Sequence, residues 1–392
     1  MITHPLTLLT TPHFQALPPL SLYIHVPWCV RKCPYCDFNS HEARGGFDEA
    51  AYIAALVRDL ELALPLIWGR KVYTIFLGGG TPSLLSGEAV TEILRQVRML
   101  LPLALDAEIT LEANPGTVEA ARFAAYRDAG VNRLSLGIQS FNDTQLHALG
   151  RIHSGDEARR AIATAQAHFD NLNLDLMYAL PQQTLAQAVQ DVETALSFAP
   201  QHLSCYHLTI EPNTLFYHQP PSVPDDDDSS DMQDAIETLL AQHGYQHYET
   251  SAFAQPNRRA KHNLNYWQFG DYLGIGAGAH SKLTFHDRVI RQARHKQPQA
   301  YLTQTAAGTP VHSEQVLNAE DLAVEFMMNA LRLNQGFASS LFQERTGLPL
   351  LVVQRQLAAA EQRGWLQRDH QHLAPTVQGQ RFLNDLIGIF LG

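Results

Sequence analysis

Cysteine is scarce: four of 392 residues. That count excludes a disulfide-stapled scaffold. Long apolar runs are absent too, and no stretch reaches the ~20 residues of a membrane-spanning helix. The first twenty residues have neither the basic start nor the apolar centre of a secretory signal. A cytoplasmic location is the expectation, with residues 1–19 as a leader. Cationic charge is in short supply, 28 Lys+Arg against 39 Asp+Glu, for a formal net charge of −11. Unselective binding to nucleic acid or anionic lipid through bulk charge is thereby disfavoured. What is present is an ordinary globular composition, 45% hydrophobic. Such a chain can bury a sizeable core and suits two or three domains.

Six short apolar runs recur in the first half: 21–26, 72–77, 108–112, 132–138, 171–177 and 202–210. Several read as nearly continuous, as parallel strands covered on both faces do. Helical spacing separates them. Ile53, Leu56, Val57, Leu60 and Leu64 share one face, with Pro65 as a stop. Val90, Ile93, Val97 and Leu100 repeat the pattern after Ser86. Thr184 and Gln187 form a capping box, and Gly130 marks the end of the helix that follows Thr117. The alternation predicts an α/β fold of right-handed βαβ units over 20–211, as a partial six-unit barrel or an open sheet.

The regularity stops near Glu211. Residues 212–317 read as a linker and an accessory α+β region. The linker spans 212–231 and carries the run Asp225–Asp228, whose spacing fits no calcium loop and reads as a solvated loop. A helix is predicted from Asp231. Residues 318–392 show helices, a hairpin from Gly364 to Pro375 and a last helix from Val377 to Phe390, a winged-helix-like module. It holds six Arg, no Lys and seven Asp or Glu. DNA reading is disfavoured, because phosphate neutralisation needs cations.

Cys29, Cys33 and Cys36 lie within eight residues as C-x3-C-x2-C, directly after the first strand. Three thiolates on one tight loop can hold three corners of a four-iron cluster and leave the fourth iron open. Zinc is the alternative, with His25 or His41 as a fourth ligand. Cys205, inside the sixth strand, reads as a small core residue. The triplet, with Tyr35 before its last cysteine, resembles the radical S-adenosylmethionine (SAM) superfamily. That resemblance implies a [4Fe-4S] cluster whose open iron binds SAM, and an electron donor for the cluster.

Other polar motifs fall at strand ends, where (β/α) barrels gather functional residues. They include Gly78–Pro82 (GGGTP), Glu112–Pro115 (EANP), Gly137–Phe141 (GIQSF) and the strand carrying Asp175. Arg151 is a candidate partner for that carboxylate, or both face a ligand. Taken in order, these motifs resemble the radical SAM branch that contains oxygen-independent coproporphyrinogen III dehydrogenase. The resemblance implies contacts to one SAM from Tyr23, Gly79 and Glu112. It implies contacts to a second SAM from Tyr35, Gly80, Thr81, Gln139, Arg151 and Asp175. The glycine-rich Gly274–His280 resembles a later element near the first SAM, or it is a packed strand. The dehydrogenase pattern has another cysteine two residues after the triplet, where this chain has Phe38. CPYCDFNSH instead resembles the HemW-type heme chaperones, as does His262-Asn263-Leu264-Asn265-Tyr266-Trp267. That H-N-x-x-Y-W motif implies heme binding through His262, with Tyr266 and Trp267 offering flat faces to the porphyrin. The expected function is a heme chaperone that passes heme to acceptor proteins, with no catalytic residue assigned. Coproporphyrinogen dehydrogenation, another radical reaction on a tetrapyrrole, and a purely structural metal protein are the alternatives.

Overall fold

The computed structural model describes residues 12–117 and 120–391. The predicted leader therefore lies outside the described residues as far as position 11. Residues 12–19 are anchored and otherwise largely exposed: Phe14 is buried among C-terminal side chains, and Arg70 donates to the Pro18 carbonyl.

Twelve strands form the main sheet: β1 (Leu20–Val26), β2 (Val72–Gly79), β3 (Leu103–Ala113), β4 (Arg133–Gln139), β5 (Leu172–Tyr178), β6 (His202–His207), β7 (Gln246–Glu249), β8 (Ala252–Ala254), β9 (Asp271–Ile275), β10 (His280–Thr284), β11 (Val289–Arg294) and β12 (Val311–Val316). Their order is β12-β11-β10-β9-β1-β2-β3-β4-β5-β6-β8-β7. From β9 through β6 every neighbouring pair is parallel. The six predicted βα units thus form an open barrel, and antiparallel strands extend the sheet at both edges.

Local chemistry explains the helices. Asp48 caps Glu49–Ala63, which buries Tyr52, Leu56 and Leu60 and gives way to a 3-10 turn at Pro65. Ser86 caps Gly87–Leu100, and the Thr184/Gln187 capping box is formed. Gly130 takes φ +103° directly after the helix ending at Ala129.

Five expectations change. The acidic run is no loop: Asp225 accepts from Asp228 N and caps a helix spanning Asp226–Gln242. Carboxylates in a first helical turn are favoured by the unpaired N–H groups and the helix dipole. The accessory region, read as lying outside the barrel units, adds β11 and β12 to the same sheet beside β10. The segment Gly274–His280 is part strand, part turn. The last helix divides into Val377–Arg381 and Leu383–Gly388 at Phe382, which leaves helical geometry. Finally, the parallel strands are not apolar on both faces. Leu134, Leu136, Leu174 and Leu203 are buried outward under the helices. Ser135, Gly137, Asn173, Asp175 and Ser204 face a cavity inside the barrel.

The C-terminal module keeps its predicted hairpin, Leu366–Arg368 with His372–Pro375, and a third short strand at Phe337–Ala338. It has its own core, which includes Phe326, Phe342, Leu357 and Leu373, and Phe269 and Val289 of the accessory region join it. Among the described residues, no helix is long and apolar enough to cross a membrane.

Candidate functional site

The cysteine loop is built on β1. Trp28–Cys29 pairs with His41–Glu42, and Ala43 N donates to the Cys29 carbonyl, so the loop is closed at its base. Trp28 stacks on Phe47 with ring centroids 4.1 Å apart. His25 is not available to a metal. Its Nδ1 meets the Tyr23 hydroxyl and its Nε2 the Asn39 carbonyl, each at 2.9 Å. Asn39 in turn donates to the Ala277 carbonyl. Of the two histidines offered as a zinc ligand, His25 therefore ties the loop to the barrel and to the glycine turn after β9, whereas the buried His41 Nε2 has no hydrogen-bond partner among the described residues.

The three thiols line one cavity of about 320 Å³. Among the described residues, no three His, Cys, Asp or Glu side chains converge on a point that would hold a single metal ion. Burial raises the Cys29 and Cys36 thiols above their ordinary value. The Arg151 charge opposes the rise at Cys29, and one of its guanidinium N–H groups lies 3.7 Å from Cys33 Sγ.

The same cavity is lined by Tyr35, Gly79, Gly80, Thr81, Glu112, Gln139, Arg151 and Asp175. Tyr23 lies just behind, stacked on Phe76. Arg151 does not pair with Asp175, contrary to the sequence expectation. It donates to Asn114 Oδ1 at 2.6 Å and to the Gly137 carbonyl at 2.7 Å. Asp175 accepts instead from Ser135 Oγ and Asn173 Nδ2, at 2.8 and 2.7 Å. Gln139 ends β4 at φ +66°. Such backbone is costly outside glycine and gathers at functional sites. Phe38, Val30 and Ile152 form an exposed apolar rim at the cavity.

Gly80 packs against backbone. Its N–H donates to the Val26 carbonyl at 2.7 Å, and a Cβ there would lie 2.5 Å from the Trp28 carbonyl oxygen. Gly80→Ala must therefore push the GGGTP loop away from the cysteine loop. It is expected to destabilise the protein by about 1–3 kcal/mol. An unchanged melting curve would refute this.

Glu112 sits under that loop, its Oε2 accepting from Gly79 N at 3.1 Å. Burial, with Asp175 nearby, pushes its carboxyl from 4.5 up to about 8. A folded value above the unfolded one removes stability as pH rises between the two. The stability of Glu112→Gln relative to wild type should thus increase from pH 5 to pH 8 and then level off. Urea melts across that range measure it, and a constant difference would contradict the assignment.

The H-N-x-x-Y-W residues lie elsewhere. They occupy a short helix, Lys261–Trp267. None of His262, Tyr266 and Trp267 lines the cavity, although Asn263 does. His262 packs on Phe76 with centroids 3.9 Å apart, Tyr266 stacks on Tyr272 of β9, and Trp267 lies under Arg332 of the C-terminal module. Burial, with Arg133 nearby, pushes His262 down to about 3, so its imidazole is neutral. Cys205 is buried in the core, as expected.

The sequence reading missed several cavity residues: Arg133, Ser135, Asn173, His202 and Ser204. Their signal was polar–apolar alternation within strands that passed for apolar runs.

Three thiols and a polar cavity at the mouth of an open (β/α) barrel define a radical SAM-type protein. Residues 23–195 match the Radical SAM superfamily model, and residues 317–382 match the HemN C-terminal domain. The chain is 49% identical over 377 residues to the heme chaperone HemW of Escherichia coli (strain K12), covering 96% of this chain and 99% of that protein. Identity to the Haemophilus influenzae heme chaperone HemW is 46% over 381 residues, covering 96% and 98%. The solved structure of coproporphyrinogen III oxidase (HemN) from Escherichia coli, a radical SAM enzyme, shares the fold. Its TM-score is 0.81 at 23% identity, over 95% of this chain and 90% of that one. The chain belongs to the HemW family of radical SAM proteins. Membership in that superfamily implies a [4Fe-4S] cluster and SAM as cofactors.

Proposed function

We propose that this protein is a heme chaperone that binds heme and delivers it to acceptor proteins in the cytoplasm. The observation that carries the proposal is its near full-length relationship to heme chaperones. Cys29, Cys33 and Cys36 would hold the cluster, which an electron donor would reduce. The cluster, when bound, supplies one-electron chemistry at the SAM sulfonium. Tyr23, Gly79 and Glu112 would hold that SAM. Tyr35, Gly80, Thr81, Gln139, Arg151 and Asp175 would hold a second one. Arg151 orients the Asn114 side chain and the end of β4, and it holds positive charge beside Cys33. The apolar rim at Phe38 limits water around the thiols.

Heme is assigned to His262, Tyr266 and Trp267. As packed, His262 faces Phe76, so ligation of heme iron requires the helix Lys261–Trp267 to move away from β2. His262→Ala is expected to lower heme retention and to alter the heme optical spectrum. Unchanged retention and axial ligation would remove His262 from the site. The function is tested with anaerobically reconstituted wild-type protein, assayed in parallel for heme transfer, SAM cleavage and porphyrinogen oxidation. Heme transfer without vinyl formation supports the proposal. Conversion of propionates to vinyls would establish a dehydrogenase instead.

A further inference from the structure

The floor of the cavity contains a buried cation that no anion among the described residues meets in an ion pair or hydrogen bond, although Asp175 lies near enough to feel its charge. Arg133 starts β4, is 3% exposed and lines the cavity, and its Nε has no hydrogen-bond partner. It takes part in none of the ion pairs among the described residues, unlike the buried Arg294, which meets Asp59, and Lys282, which meets Asp271. The acids around it are engaged elsewhere. Glu108, on the same face of β3 as the Thr110 that pairs with Arg133, accepts from Lys261 N and His262 N, each at 3.1 Å. Asp175 is held by Ser135 and Asn173. His202 is held by Asn173 and Tyr248, and burial keeps it neutral.

A guanidinium stays charged in any protein environment, and a buried charge without a counterion is costly. Ser135, Asn173, Ser204 and Asn263 line the same cavity but donate to other groups, so the free guanidinium is the donor an entering anion would meet. Such a setting matches a planar anion that a guanidinium grips through two parallel N–H bonds. We propose that Arg133 is a carboxylate socket at the deep end of the cavity, taking an acidic group of the ligand that enters from the cysteine side. Two ligands of the proposed function carry such a group: heme, through its propionates, and SAM, through its amino-acid end. The heme source rests on that functional reading, whereas the socket itself does not.

The test uses the full chain, reconstituted anaerobically, as wild type, Arg133→Met and Arg133→Lys. Binding of heme, heme dimethyl ester and SAM is titrated separately, and each ligand-free protein is melted. Arg133→Met is expected to stay folded, which the melt of the ligand-free protein checks. Its heme affinity is expected to fall about ten- to a hundredfold, the usual cost of a lost charged hydrogen bond, with partial recovery in Arg133→Lys. The dimethyl ester, which has no free carboxylate, should bind wild type and Arg133→Met equally. A fall confined to SAM would keep the socket and assign it to the amino-acid carboxylate. If wild type binds no heme, the chaperone reading fails while the SAM titration still tests Arg133. The proposal is overturned if neither affinity moves, or if heme and its ester weaken together.

Discussion

Alanine at Cys29, Cys33 or Cys36 is expected to yield a folded protein that no longer holds an iron–sulfur cluster. Each thiol lies on the partly exposed loop above the barrel and outside the apolar core. Removing one costs little packing, and the melting temperature should stay within a few degrees of wild type. The cluster has only this triplet nearby, since Cys205 is buried in the barrel wall. No neighbouring thiolate can take the place of the lost one. Iron and sulfide analysis after anaerobic reconstitution, with the visible spectrum, gives the readout. Cys205→Ala is the control: it should keep the full iron content and melt lower, because it empties core volume. Normal iron content in any of the three loop variants would refute the assignment of that cysteine.

Asp271→Ala is expected to remove about 3–5 kcal/mol of stability, the usual cost of breaking a buried ion pair from one side. Asp271 opens β9, the strand that joins the accessory region to β1. It is fully buried and accepts from Lys282 Nζ at 2.9 Å and Arg70 at 2.8 Å, and from the Thr284 backbone and hydroxyl. Its loss leaves the Lys282 ammonium buried without a counterion. Burial alone would raise this carboxyl, but Lys282 and Arg70 outweigh it and hold the group below its ordinary value of 3.8. A folded value below the unfolded one adds stability at neutral pH, and that contribution disappears as pH falls through the folded value. The gap between wild type and Asp271→Ala should therefore narrow in acid. Urea melts at pH 7 and at pH 2–3, below the ordinary value of 3.8, measure both effects. A variant as stable as wild type at pH 7 would show that the joint between β9 and β10 holds without the ion pairs.

Much of the site was legible because its signals are local. Cys29, Cys33 and Cys36 share one loop, and the distance between ligands on a loop is set by the chain itself. Ser86, Thr184 and Gly130 punctuate helices through bonds to residues no more than four away. The glycines of Gly78–Pro82 report a close backbone approach wherever they occur. The partner of Arg151 was misread because residues on neighbouring strand ends compete for the same guanidinium, and Asn114 is nearer than Asp175 only once the strands are in register.

The pairing of β9 with β1 was not legible. Strand Asp271–Ile275 lies beside Leu20–Ile24, and nothing local in either segment names the other. The floor of the cavity was hidden for a related reason. Ser135 and Asn173 alternate with leucines, and alternation says that a strand has two different faces without saying what the polar face meets. The order of residues thus settles the cluster loop, the βα units and their caps, since each depends on near neighbours. Which polar faces enclose a shared cavity, where Arg133 is left without a counterion, and where His262 packs depend on contacts between distant segments. Those contacts exist only after burial of the outer leucines has closed the strands around the cavity.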